Sequence, residues 1–136
     1  QKECLPLLTA LCDAGYDVSL ETSGALDIAG IDPRVARIMD LKAPDSGECA
    51  RNRWENLALL GPRDEIKIVI ASRGDYEWAR EQLRERRLAE CCPVLLSPAQ
   101  GLVDPTALAE WILADGLAVR FQMQLHKLLW GNAKGK

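Results

Sequence analysis

Four short stretches carry most of the side chains that could bind or activate a small molecule. They are Glu21-Thr22-Ser23-Gly24, Asp40-Leu41-Lys42-Ala43-Pro44, Ser97-Pro98-Ala99-Gln100-Gly101 and Gln124-Leu125-His126-Lys127. Each puts carboxylate, hydroxyl, amide, ammonium or imidazole groups at the end of an apolar run. Taken singly, each has a plain structural reading. Ser and Gly are common turn formers. Asp40 and Lys42 could form a surface pair worth about 0–1 kcal/mol. Ser97-Pro98 could be an ordinary loop, and a lone histidine such as His126 is more often a satisfied hydrogen-bonder than a catalyst. Gathered on the carboxyl edge of a parallel sheet, where α/β folds carry their sites, the four would line one pocket. That convergence is a stronger sign than any member of it.

Other chemistries are missing from the sequence. It has no Gly-rich phosphate loop, P-loop, GxSxG elbow or HExxH helix, and nothing pairs His126 with a nucleophile. Five cysteines, at 4, 12, 49, 91 and 92, are odd in number and form no CxxC. They suggest neither a disulfide framework nor a cluster-binding loop, and point to a reducing, cytoplasmic setting. A formal net charge of −3 gives no footprint for nucleic acid. No apolar run approaches the ~20 residues of a membrane helix. With 48% hydrophobic and 27% charged residues among 136, the composition is that of one globular domain spanning 1–136.

The elements that must position these residues follow from periodicity. Residues 2–14 carry Cys4, Leu8, Leu11 and Cys12 at helical spacing, with Gly15 as a stop. A short, mostly buried strand is expected over 17–21, and Asp32-Pro33 reads as a cap opening one helical turn. A strand over 37–41 precedes a helix over 47–60, with Ala50, Trp54, Leu57 and Ala58 on one stripe. Residues 65–71 are the most strand-like, nearly continuous in apolar character as in strands buried on both faces. Lys67 interrupts them, and a lysine there must find a partner or the rim. A charged helix over 75–88 carries Arg80, Arg84 and Arg87 among glutamates, an ion-paired outer face. A strand over 94–96, a helix opened by Asp104-Pro105 and a last strand over 118–125 follow. The tail 132–136 reads as frayed. Strands alternating with helices imply βαβ units in a parallel sheet, either an arc of a barrel or an open doubly wound sheet.

In this order, ETSG, DLKAP, DEIKIVI at 64–70, SPAQG and QLHKLLWG resemble the carboxyl-terminal part of the 7-carboxy-7-deazaguanine synthase family, radical S-adenosylmethionine enzymes of queuosine and 7-deazapurine biosynthesis. The resemblance implies a partial, TIM-like βα barrel with mostly parallel strands, and a cytoplasmic homodimer. It implies conversion of 6-carboxy-5,6,7,8-tetrahydropterin to 7-carboxy-7-deazaguanine with release of ammonia. The cofactors implied are S-adenosylmethionine, a [4Fe–4S] cluster and Mg2+, with an electron donor such as flavodoxin. Carried over by position, Glu21, Ser23, Asp40, Leu41, Lys42, Ser97, Pro98, Ala99 and Gln100 would contact S-adenosylmethionine. Gln124 and His126 would meet the pterin.

The cluster-binding cysteines and the GGEP element of that family belong upstream of Gln1. The expectation is therefore a carboxyl-terminal fragment with no metal ligands or catalytic residues of its own, inactive alone. Two other readings compete: a fragment of another radical S-adenosylmethionine protein, such as a glycyl-radical activating enzyme, and a non-catalytic α/β binding module.

Overall fold

Apolar residues alternate with polar ones along the central strand, and this decides which way the sheet faces. The computed structural model describes residues 3–131. It contains five strands: β1 (Ser19–Thr22), β2 (Ala36–Leu41), β3 (Glu65–Ile70), β4 (Val94–Pro98) and β5 (Arg120–Phe121). All pair in parallel, and their order across the sheet is their order in the chain. Right-handed crossovers that always step the same way collect the helices on one face. A doubly wound sheet would reverse its order and cover both faces. The fold is an arc of a parallel βα barrel.

Ile66, Ile68 and Ile70 are fully buried on the convex face of β3. They pack with Met39, Leu41, Val94 and Leu96 under α2 (Arg73–Glu85), α3 (Leu88–Cys91) and α4 (Pro105–Ala114). A second cluster joins Leu8 of α1 (Cys4–Asp13) to Val18, Ile28, Ile31 and Val35. Glu65, Lys67 and Val69 face the other way and are half-buried. The expectation of a strand packed on both faces is thereby corrected: helices cover one side only, and the concave side mixes Asp40, Glu65, Lys67 and Ser97 with Ile38, Val69 and Leu95.

Local chemistry explains the element ends. Gly15, at φ +84°, closes α1 with its N–H donating to Cys12 O and Tyr16 N–H donating to Leu11 O. Ser72 Oγ accepts from Asp75 N at 3.1 Å to cap α2, and Asp104 Oδ1 accepts from Thr106 N at 3.0 Å to cap α4. Asp32 heads a single turn, as its spacing predicts, accepting from Arg34 N at 2.9 Å.

Four expectations need correction. The helix over 47–60 is replaced by short 3-10 turns at Cys49–Arg51 and Trp54–Leu59, and Ala50 and Ala58 are exposed. Buried asparagine side chains there bind distant backbone, which holds the segment out of α-helical register. The helix over 75–88 breaks at Arg87, φ +52°, into α2 and α3. β1 is an edge strand, and its Ser19 and Glu21 are exposed. The last strand is only Arg120–Phe121, and Leu125–Trp130 forms helix α5. The tail 132–136 lies outside the described residues. No helix among the described residues is long and apolar enough to cross a membrane.

One ion pair ties the lower sheet. Asp64 accepts from Arg37 N (2.7 Å), Arg37 Nε (3.1 Å), Arg37 Nη2 (2.7 Å) and Gly61 N (2.7 Å). Burial alone would raise this carboxyl, but the bonds from Arg37 and Gly61 outweigh it and hold it below its ordinary value. The unfolded chain therefore takes up the proton first as pH falls. The pairing is fully stabilising above about pH 5, and its contribution is lost as pH drops below about 4 and through the folded value. Melting temperatures should be level near neutrality and fall in acid, with a smaller acid drop in Asp64→Asn.

Candidate functional site

The carboxyl edge of the sheet is built around a glycine. Gly24 follows β1 at φ +68°, and a Cβ there would lie 2.9 Å from Met39 Cγ and 3.1 Å from Met39 Sδ. Met39 is fully buried and has little room to yield. The Thr22 hydroxyl oxygen accepts from Gly24 N at 3.3 Å, folding ETSG into a tight turn. Gly24→Ala should cost about 1–3 kcal/mol, from left-handed strain plus overpacking, read as a lowered urea midpoint at unchanged slope.

Three buried side chains fix the loops around that turn. Asn56 donates from Nδ2 to Gly24 O (3.0 Å) and Leu26 O (2.8 Å), and accepts at Oδ1 from Ile28 N (3.4 Å). Asn52 accepts from Lys42 N and donates to Lys42 O, both at 2.9 Å, so it pairs with the end of β2 as another strand would. Asp75 accepts from Asp45 N at 2.9 Å and Ala71 N at 3.0 Å, joining the loops that leave β2 and β3. None of the three was singled out in the sequence. Their neighbours in the chain are themselves mostly polar, so no local pattern marks them.

Residues in register on a parallel sheet share a face, so the strand pairing decides which candidates look into the concavity. Asp40 is opposite Lys67, and Ser97 opposite Val69, all on the concave side. Lys42 Nζ donates to Asp40 Oδ2 at 2.6 Å in a half-buried pair. Asp40 Oδ1 and Ser97 Oγ are buried with no hydrogen-bond partner, and Ser97 is wholly inaccessible. Unpaired buried polar atoms are costly and call for a ligand or water.

The other candidates divide. Leu41 is packed into the convex core, so only its backbone could meet a ligand from the concave side. Glu21, in register with Ile38, and Ser23 are exposed along the β1 edge. Ala99 N donates to Ile70 O at 2.8 Å, tying the end of β4 to β3. Gln100 and Gln124 line one cavity of about 280 Å³ with Pro98, Val103 and Met123. The third and fourth stretches thus meet there. His126 belongs to α5 rather than to a strand end, and its side chain lies outside the described part.

Cys4 and Cys12 lie on α1, Cys49 opens the 3-10 turn Cys49–Arg51, and Cys91 and Cys92 stand at the end of α3. Burial pushes the Cys92 thiol up to about 11, leaving it protonated. Among the described residues no three His, Cys, Asp or Glu side chains are grouped to hold a metal ion.

No family model matches the chain. The 7-carboxy-7-deazaguanine synthase of Chlorobaculum tepidum is 46% identical over 95% of this chain and 60% of its own length. That of Koribacter versatilis is 42% identical, over 96% of this chain and 63% of its own. That of Leptospira interrogans is 38% identical, over 85% and 50%. The chain thus spans about 60% of the length of the first two. Among solved structures, QueE from Escherichia coli superposes with a TM-score of 0.66 over 88% of this chain and 49% of that one. At 23% identity that likeness is one of fold.

Proposed function

The chain is homologous to the 7-carboxy-7-deazaguanine synthases along nearly all of its own length, and from that premise we propose that it forms the carboxyl-terminal arc of such an enzyme's barrel. The reaction in this reading converts 6-carboxy-5,6,7,8-tetrahydropterin to 7-carboxy-7-deazaguanine with loss of ammonia. One observation carries it: the two buried polar atoms without a partner, Asp40 Oδ1 and Ser97 Oγ, belong to the two stretches that the resemblance assigns to S-adenosylmethionine.

S-adenosylmethionine, when bound beside a reduced iron–sulfur cluster, supplies the radical that starts the rearrangement. The residues of this chain bind and orient. Asp40 Oδ1 accepts from the cofactor, Lys42 neutralises its carboxylate side, and the Ser97 hydroxyl donates. Leu41 contributes backbone, Pro98 and Ala99 an apolar wall and Gln100 an amide. Glu21 and Ser23 close the β1 side. Gln124 and His126 hold the pterin. The parallel arc excludes water from the reacting centre. The described residues offer no group of three His, Cys, Asp or Glu side chains for the [4Fe–4S] cluster or for Mg2+. A flavodoxin-like donor, a second copy of the chain and the reducing cytoplasm complete the reading.

The test is anaerobic turnover by the intact protein that carries this chain, with reductant, Mg2+, S-adenosylmethionine and the carboxytetrahydropterin. Formation of the deazaguanine is expected, with no turnover by residues 1–136 alone. Asp40→Ala should weaken S-adenosylmethionine binding about 10- to 100-fold, the size of a lost charged hydrogen bond. Cleavage of S-adenosylmethionine with the pterin left untouched would point instead to an activating enzyme. No binding of S-adenosylmethionine at all would point to a binding module.

A further inference from the structure

β3 runs through the middle of the sheet, and only Glu65 and Lys67 in it are polar. Glu65 is met by Arg120 at 3.2 Å. Lys67 is half-buried on the concave face, and among the described residues no carboxylate comes within ion-pair distance of it. Its register partner is Asp40, whose Oδ2 is already held by Lys42 and whose Oδ1 is buried and unbonded. One carboxylate therefore has two lysines as neighbours on this face, Lys42 bonded to it and Lys67 in register with it but unpaired. Ser97, also with a buried and unbonded oxygen, is the diagonal neighbour of Lys67 on β4. Diagonal neighbours stand roughly 7–8 Å apart, within reach of a long side chain.

A partly desolvated ammonium is costly unless an anion completes it. Asp40, Lys42 and Lys67 together carry one unbalanced positive charge, with a hydroxyl donor beside it. A dianion such as phosphate would set its second charge against Asp40. A carboxylate matches both the charge and the paired donors. We propose that Lys67, with the Ser97 hydroxyl, is a carboxylate-binding group for a small-molecule ligand in the concavity, and that Asp40 Oδ1 accepts a proton donor of the same ligand. Only the identity of the molecule bearing the carboxylate rests on the function proposed above.

Two probe pairs separate the sources: 6-carboxypterin against pterin, and S-adenosylmethionine against decarboxylated S-adenosylmethionine, titrated calorimetrically into the intact protein. In at least one pair the carboxylate should bind tenfold or more tighter than its counterpart. Lys67→Met removes that preference, Lys67→Arg keeps part of it, and affinity for the counterpart stays unchanged. Should Lys67→Met not fold, Ser97→Ala, which removes one hydroxyl, lowers the same preference severalfold. Loss in the pterin pair assigns the pterin carboxylate to Lys67. Loss in the cofactor pair alone keeps the carboxylate site and detaches it from the pterin. A preference that survives both Lys67→Met and Ser97→Ala overturns the inference even if the pterin binds. Failure of the unsubstituted protein to prefer either carboxylate overturns it as well.

Discussion

Asp64→Ala is expected to lower the free energy of unfolding by about 3–5 kcal/mol, the range for breaking a buried pair from one side. Asp64 is 4% exposed and its partner Arg37 15%, so solvent does little to relieve either when the other is lost. The substitution also strips acceptors from the Arg37 and Gly61 backbone N–H groups, both bound at 2.7 Å. Two independent costs therefore add at one residue, an unpaired guanidinium and orphaned amides. Asp64→Asn keeps an acceptor and should lose less. Urea unfolding is the measurement. A midpoint shift below that of Gly24→Ala would sink the claim that this pair holds β2 to the start of β3.

Asn56→Ala should cost about 2–4 kcal/mol, because three backbone groups, two of them in buried bonds, lose a partner at once. The Gly24 carbonyl keeps a second donor, Arg53 N at 3.3 Å, whereas the Leu26 carbonyl and the Ile28 N–H have no other partner among the described residues. The loss is local, so hydrogen exchange should quicken most over residues 24–28. Asn56→Asp separates donor from acceptor: it keeps the bond from Ile28 N and abolishes the two donated by Nδ2. Equal protection of 24–28 in Asn56→Ala and the parent protein would show that the loop is held by something else.

The sequence disclosed some of this and concealed the rest for definite reasons. β2 and β3 were legible because β-branched and long apolar residues cluster there. The caps of α4 and the stop of α1 were legible because Asp-Pro and Gly act through local backbone geometry. The segment 47–60 was misread because its decisive contacts, Asn52 to Lys42 and Asn56 to Gly24, reach 10 and 32 residues away. No periodicity records such ties. The concave and convex faces were hidden too, since alternation within β3 becomes visible only once it is known that helices cover one side. Lys67 did break the apolar pattern. Asp40, Lys42 and Ser97 were picked out as ligand groups, and the structure gathers them on one face, with Leu41 turned away from it.

The sequential strand order also bears on how the protein assembles. The widest strand pairings, such as Lys67 with Leu95, join residues 28 apart. Each closure therefore carries a modest entropic cost, and none waits on a distant segment of chain. Once the β1–β2 unit exists, every later unit finds a template already standing. During synthesis the arc can grow strand by strand in the order in which the ribosome releases it, as repeat proteins propagate from one folded unit to the next.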